Sequence, residues 1–423
     1  MLTKRAMKQI KILTSLILVA LISASIPAFS QVKKEEIVTA IDQTANCIVN
    51  VILDEQGKSR CDYNLTEGKW YPYEVPWHTG QAINALLAGY KIRGNESWLN
   101  AAKKAGNYWV GLQIKDHPKL KGMLGATHGD FIGDDVIVFA TISDGTPGIY
   151  ELSRVTKDKK YAKTATEAAE WMMKNMYNAE KGVCYDNVDL KTGEVQKEFS
   201  PFWKDKKVGE QTLFDVSRPN TEGSLFKDAY EFSGNVAFKD AFINLCNSLL
   251  KLQDENGIWS DFMPNFKDVH SFHPRFNLWY AESLIEAFKL TKDRKYLEAA
   301  ARTARTHAKA QQKDGTMYYD NYTNGKAPDK GSVTGSEVAL SGIVWMELSK
   351  LGYKEFDANI EKSAYWLVHN RFAEDHPDKN LRGQVIETRI RSKGKVWLVN
   401  RDIGTSFALR FLSDYYKFKS FQN

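Results

Sequence analysis

The chain has no CxxC pair, no HExxH helix, no GxSxG elbow, no phosphate-binding Gly-rich loop and no dinucleotide fingerprint. Zincin-type hydrolysis, serine-hydrolase chemistry and nucleotide chemistry on a βαβ unit therefore lack their sequence supports. Cysteine is scarce, with four residues scattered at Cys47, Cys61, Cys184 and Cys246. None has a zinc-ligand spacing. A disulfide between Cys47 and Cys61, which flank one short loop, is one reading, and four buried thiols are the other. Neither a metal nor a cofactor is expected. Strand signals are thin and confined to linkers such as Lys395 to Leu398.

Excess charge is missing too. Lys and Arg number 58 against 52 Asp and Glu. Four of those bases (Lys4, Arg5, Lys8, Lys11) lie in the first thirty residues, which hold no acid, so the rest balances at 54 against 52, or +2. That is no footprint for a nucleic acid. The same four bases precede an apolar run, Ile12 to Ile22, and a small-residue stretch ending Ala28-Phe29-Ser30. The pattern reads as a secretory signal peptide over 1–30, cleaved before Gln31. The run is short for a membrane span, and stable membrane insertion is not expected. The expectation is an exported protein, secreted or periplasmic, with one domain over 31–423.

What the chain has in abundance is repetition. "HTGQAINALLAGYKIRGNESWLNAAKKAG" from His78 has the layout of "SDGTPGIYELSRVTKDKKY" from Ser143. "RPNTEGSLFKDAYEFSGNVAFKDAFINLC" from Arg218 and "NLWYAESLIEAFKLTKDRKYLEAAARTA" from Asn277 repeat it, and a looser copy starts at Thr334. Each joins a helix of small and apolar residues to an amphipathic one through a short Gly or Lys-Asp turn. The aromatics Trp98, Tyr161, Phe238, Tyr296 and Phe356 mark a period of roughly sixty residues. Pairing the leftover helix after Glu35 with the leftover helix after Ile403 makes six hairpins. An open solenoid would leave apolar faces at both ends. The sequence therefore predicts an all-α (α/α)6 toroid, first helices inside.

In such a ring the long connections entering the inner helices share one face, and long connections in a compact domain carry function. Here they hold Tyr73, Glu74, Trp77, His78, His128, Asp130, Asp134, Asp135, Asp144, Arg218, Glu222, His270, His273, Arg275, Trp279, Tyr280, Glu337, Arg389, Arg401 and Asp402. The carboxylates Asp144, Glu222, Glu337 and Asp402 at helix mouths suit general acid–base work on a glycosidic substrate, or they are caps. Arg218, Arg275 and Arg401 suit bidentate binding of an anionic sugar, or they pair with neighbouring acids. Trp77 and Tyr280 offer faces for sugar rings.

"SDGTPGIYELSRVTKDKKY", "YDNVDLKTGEVQ" and "HGDFIGDD" together resemble the six-hairpin glycosidase superfamily, specifically the unsaturated glucuronyl and rhamnogalacturonyl hydrolases. At the third inner helix the chain reads "SRPNTEGSLF", keeping Arg218 without the tryptophans of those families' Trp-x-Arg-Gly-x-Gly-Trp signature. The resemblance implies Asp144 as the acid that protonates the C4=C5 bond of a terminal unsaturated uronate. Asp134 or Asp135 would be a second carboxylate. It also implies an oligosaccharide substrate, for which the positions at the helix mouths offer Trp77, Arg218, Glu222, Arg275, Tyr280, Glu337 and Arg401 as binding residues. A uronan lyase or epimerase using Tyr73, His78, His273 or Tyr280 as base is the alternative on this fold. An ordinary inverting glycosidase and a non-catalytic glycan-binding protein are the others.

Overall fold

Four of the inter-helix turns repeat one device. Gly94, Lys157, Gly234 and Lys292 each take a left-handed conformation (φ 62–73°) at the end of a helix. The next residue, Asn95, Asp158, Asn235 or Asp293, then caps the following helix by accepting its N2 backbone N–H at 3.0–3.1 Å. This left-handed stop followed by an Asx cap turns the chain back in two residues. The structure, a computed structural model, describes residues 32–129, 132–392 and 396–420. The leader read over 1–30 and Asp130 lie outside the described residues.

The helices are α1 (Lys34–Cys47), α2 (Val75–Arg93), α3 (Glu96–Gly111), α4 (Thr146–Thr156), α5 (Lys159–Asn175) and α6 (Leu225–Ser233). They continue as α7 (Val236–Leu252), α8 (Phe276–Thr291), α9 (Arg294–Ala310), α10 (Gly335–Lys350), α11 (Asp357–His369) and α12 (Asp402–Ser420). The even-numbered helices form the inner ring. α2 lies between α12 and α4, and α10 lies between α12 and α8. α6 joins α8 through the 3-10 turn Glu222–Ser224. α12 also pairs with α1, so the two ends of the chain complete the sixth hairpin. The six-hairpin toroid expected from the repeats is the observed architecture.

Burial explains which helix goes where. Inner α10 is buried at every position from Gly335 to Met346, as a helix walled on both sides must be. Outer α9 buries one stripe, Tyr296 to His307 at helical spacing, and gives its Arg and Lys residues to solvent. The periodic aromatics Trp98, Tyr161, Phe238 and Tyr296 each stand third in their outer helix. All are at most 2 % exposed, so one anchor is repeated around the ring. Each such side chain contributes roughly 2–3 kcal/mol of burial. The four cysteines are buried and free, so Cys47 and Cys61 form no disulfide.

The long connections all run into the N-terminal ends of the inner helices, and they hold more strand than the sequence suggests. Short antiparallel sheets stitch them together: Val136–Val138 pairs with Asn187–Asp189, and Asp62–Asn64 pairs with Val399–Arg401. Strands of two to six residues are too short to show a period of two, which is why they escape a sequence reading. No helix among the described residues is long and apolar enough to cross a membrane.

Candidate functional site

Glycine decides how closely the inner helices meet at this face. A Cβ on Gly80 of α2 would lie 2.2 Å from the Gly145 carbonyl oxygen, and one on Gly148 of α4 would lie 2.2 Å from the Gly80 oxygen. The Asp-Gly-Thr-Pro-Gly cluster thus serves backbone contact between α2 and α4, with Pro147 in the first turn. Asp144 is not the N-cap of α4. Gly145 holds that position, and Asp144 closes the preceding turn, Phe139–Ser143, through its own N–H. Its side chain is left free for other work.

That carboxyl lines a cavity of about 340 Å³ at the mouth of the ring. Asp144 is 4 % exposed, and its Oδ1 has no hydrogen-bond partner among the described residues. Glu222 lies beside it, brought there by Gly223. A Cβ on Gly223 would meet the Ser143 carbonyl oxygen at 1.9 Å and Asp144 Cα at 3.1 Å, and its φ is +66°. Glu222 is 1 % exposed, and its Oε2 is likewise unpartnered. Arg218 stands behind the pair, 3.5 Å from Glu222 Oε1 and 3.4 Å from Asp186 Oδ1. Its Nε donates to Asn220 Oδ1 at 2.7 Å. Burial pushes the Asp144 carboxyl well above the usual carboxylate range, the neighbouring Glu222 charge adds to this, and Arg218 opposes it. Burial raises Glu222 too, but there Arg218 is the main counterweight. Because the guanidinium contacts Glu222 directly, Asp144 is the one of the two whose neutral form the site favours more.

Opposite this pair, Arg401 occupies a closed network. Its Nε donates to Asp62 Oδ1 at 3.0 Å, and Nη2 donates to the Tyr73 hydroxyl. His78 Nε2 lies 3.5 Å from Nη2, while His78 Nδ1 meets Asp402 Oδ1 at 2.5 Å and Ser59 donates to Asp402 Oδ2. Asp62, His78 and Asp402 place one potential metal-ligand atom each within 4.8 Å of one another. Arg401 already meets Asp62, and Asp402 is taken up by His78 and Ser59, so the residues present do not fit a metal. His78 holds Arg401 from beneath, and it is Arg401 and Tyr73 that line the cavity.

The remaining predicted residues divide by position. Trp77, Trp279 and Arg275 line the cavity. Arg275 is tied to Glu387 Oε1 at 3.1 Å and to Ser336 Oγ at 2.9 Å, with both charges 2 % exposed. Tyr280 is fully buried behind the wall, edge-on to Trp259 and Phe276. Glu337 bonds His307 Nδ1 at 2.8 Å inside the ring and does not reach the cavity; burial raises its carboxyl and lowers His307 to about 3. Asp134 and Asp135 are exposed, and Asp135 pairs with Lys191 at 2.6 Å outside the cavity.

Several lining residues carry no signal of their own in the sequence, and they stand beside Arg389 and Glu74, which the sequence does single out. Asp186 sits within a connector, and only its contacts with Arg218 and Asn220 mark it. Phe202, Trp203, Phe214, Phe262 and Phe276 form an aromatic wall drawn mostly from two connections. Tyr319 and Arg389 complete the far rim, with the Arg389 guanidinium 4.3 Å from the Tyr319 ring centroid. Glu74, which lines the near rim, adopts a left-handed φ of 48° and has its Oε1 3.3 Å from His128 Nε2, a strained position of the kind that collects at functional sites.

No protein-family model matches the chain, and no curated protein matches it either. Solved structures do. An unsaturated glucuronyl hydrolase specific for heparin superposes with a TM-score of 0.63 at 15% identity, over 92% of this chain and 97% of that one. Cellobiose 2-epimerase from Bacillus thermoamylovorans B4167 gives 0.63 at 14% identity, over 89% and 99%. D-mannose isomerase gives 0.62 at 14% identity, over 94% and 100%. The likeness read from the sequence therefore holds as a fold: the chain is a six-hairpin (α/α)6 toroid similar to that of these carbohydrate enzymes.

Proposed function

We propose that the protein is a carbohydrate-active enzyme that hydrolyses a terminal unsaturated uronyl residue from oligosaccharides. The observation that carries this reading is the buried Asp144–Glu222 pair at the cavity, with burial raising Asp144 well above the usual carboxylate range and Arg218 set against Glu222. A neutral carboxylic acid is what protonation of an enol-ether double bond requires. Asp144 delivers its proton to C4, leaving positive charge shared by C5 and the ring oxygen. Water adds at C5 and returns a proton to the Asp144–Glu222 pair. The resulting hemiketal opens to a C5 ketone, and the sugar formerly linked at C1 leaves. Trp77, Trp279 and the aromatic wall suit the faces of sugar rings. The leader read over 1–30 would deliver the enzyme outside the cytoplasm, where lyases that generate such termini act on polysaccharide; protein from the producing cell should then begin at Gln31.

A second reading is favoured by one observation. Tyr73 faces the cavity with its hydroxyl oxygen accepting from the Arg401 guanidinium, a position a base would occupy in lyase or epimerase chemistry. Ultraviolet absorbance of the conjugated uronate separates the two. Hydration of unsaturated disaccharides lowers it and requires Asp144, whereas elimination on intact uronans raises it and requires Tyr73. Full activity of Asp144→Asn on unsaturated disaccharides would overturn the hydrolase assignment.

A further inference from the structure

Three of the four arginines at the cavity already have carboxylate partners in the fold: Arg218 with Asp186 and Glu222, Arg275 with Glu387, and Arg401 with Asp62. Arg389 makes no ion pair among the described residues, although it is only half-buried at the cavity rim; Asp320, which also lines the cavity, feels its charge without pairing with it. It comes from the strand Thr388–Ser392, which pairs with Val396–Arg401, so its backbone is fixed. Its guanidinium lies over the Tyr319 ring, which holds a flat donor group in place without neutralising it.

The Tyr319 hydroxyl is oriented by a chain of bonds that leaves one outcome. His273 Nδ1 accepts the backbone N–H groups of Arg275 and Phe276, at 3.2 and 3.1 Å, at the start of α8. A nitrogen that accepts two N–H bonds carries no proton, so the imidazole proton sits on Nε2. Burial and the surrounding arginines hold His273 well below its usual range, which keeps the ring neutral. Nε2–H therefore donates to the Tyr319 oxygen, 2.8 Å away. With that lone pair engaged, the Tyr319 O–H is left to donate, and Tyr319 lines the cavity.

We propose that Arg389 and Tyr319 form the subsite that reads the carboxylate of the substrate, with His273 as the positioning residue that fixes the Tyr319 hydroxyl as a donor. The carboxylate takes charge-assisted bonds from the guanidinium and a short bond from the phenol. A neutral sugar at the same place leaves Arg389 with only the unpaired, more distant Asp320 charge near it, so the pair favours uronic acids over hexoses. This rests on the uronyl reading of the site and specifies where the acid group lies.

The test uses the Asp144→Asn protein, to prevent turnover, and calorimetric titration with an unsaturated glucuronyl disaccharide and with its methyl ester. The acid is expected to bind more tightly than the ester. Arg389→Met should weaken the acid by ~10- to 100-fold, as expected for loss of a charge-assisted pair, and change the ester by less than about threefold. Arg389→Lys should restore part of the loss, and Tyr319→Phe, which keeps the ring under Arg389, should cost the acid about 5- to 10-fold. An acid-over-ester preference that survives Arg389→Met overturns the proposal. Turnover of unsaturated disaccharides by the unmutated enzyme without any such preference overturns this subsite alone. Absence of both turnover and preference overturns the uronyl reading as well. A preference that depends on Arg389 without turnover keeps the subsite and removes the hydrolase.

Discussion

Replacing Asp144 by Asn should abolish activity and at the same time stabilise the protein, by an amount that depends on pH. In the unfolded chain this carboxyl has a pKa of about 3.9. In the folded protein, burial and Glu222 keep it protonated well above that value. Stability from this group is therefore fully present below about pH 4 and declines by about 1.4 kcal/mol for each further pH unit until the folded carboxyl itself ionises. The amide of the Asp144→Asn variant is neutral in both states and feels no such decline. The variant's advantage should therefore widen by about 1.4 kcal/mol per pH unit across that window. An unfolding entropy of about 2.1 cal/mol/K per residue amounts to about 0.9 kcal/mol/K over this chain, so the difference in melting temperature should grow by about 1.5 °C per pH unit. Near pH 4 the two proteins should melt together. The assay is paired thermal melts at several pH values, read as a difference so that other buried carboxyls cancel. An Asn variant less stable than its parent at pH 6, or a gain equal at pH 4 and pH 6, would refute a neutral buried acid at this position.

Other expectations follow from the same geometry. Glu222→Gln removes a negative neighbour that raises Asp144, so the alkaline limb of the activity profile should move to lower pH by about one unit; an upward shift would contradict the pairing. Gly223→Ala sets a methyl group 1.9 Å from a backbone oxygen at φ +66° and should cost activity more than about tenfold along with stability. Gly234→Ala, at φ +73° but with open space around it, should cost only about 1–2 kcal/mol and leave turnover alone. Thiol reagents should modify none of the four cysteines in the native protein and all four after denaturation, and reductant should leave the melting temperature unchanged.

The ring was legible in the sequence because its determinants are local and repeated. A turn residue, an Asx cap and an aromatic three positions into the outer helix recur at near-constant spacing, and each acts on its immediate surroundings. Closure was legible for a related reason, since two unpaired helices at opposite ends of the chain needed cover for their apolar faces. The sheets that stitch the loops were not, because strands of two to six residues pair across hundreds of positions, as Asp62 does with Arg401.

The site divides along the same line. Asp144 could be singled out from its own segment, yet its local surroundings pointed equally to a cap. What distinguishes it is a glycine almost eighty residues later, Gly223, whose missing side chain lets Glu222 approach. The arginines illustrate the converse. Arg275 and Arg401 have the residue type, loop position and helix-mouth placement of ligand-binding groups, and both prove to be compensated by carboxylates, Glu387 and Asp62, distant in sequence. A buried guanidinium without such a partner would carry an unpaired-charge penalty too large for the empty site to sustain, so the deeply buried arginines must be internally paired. Only a rim position, half in water, can keep a cation in reserve for a ligand. That argument sets aside Arg275 and Arg401, both at most 2 % exposed, while Arg218, itself 14 % exposed, is set aside by the Asp186 and Glu222 carboxylates it already meets; depth and pairing alike exist only once the ring has closed, which is why no inspection of the sequence could have ranked the four.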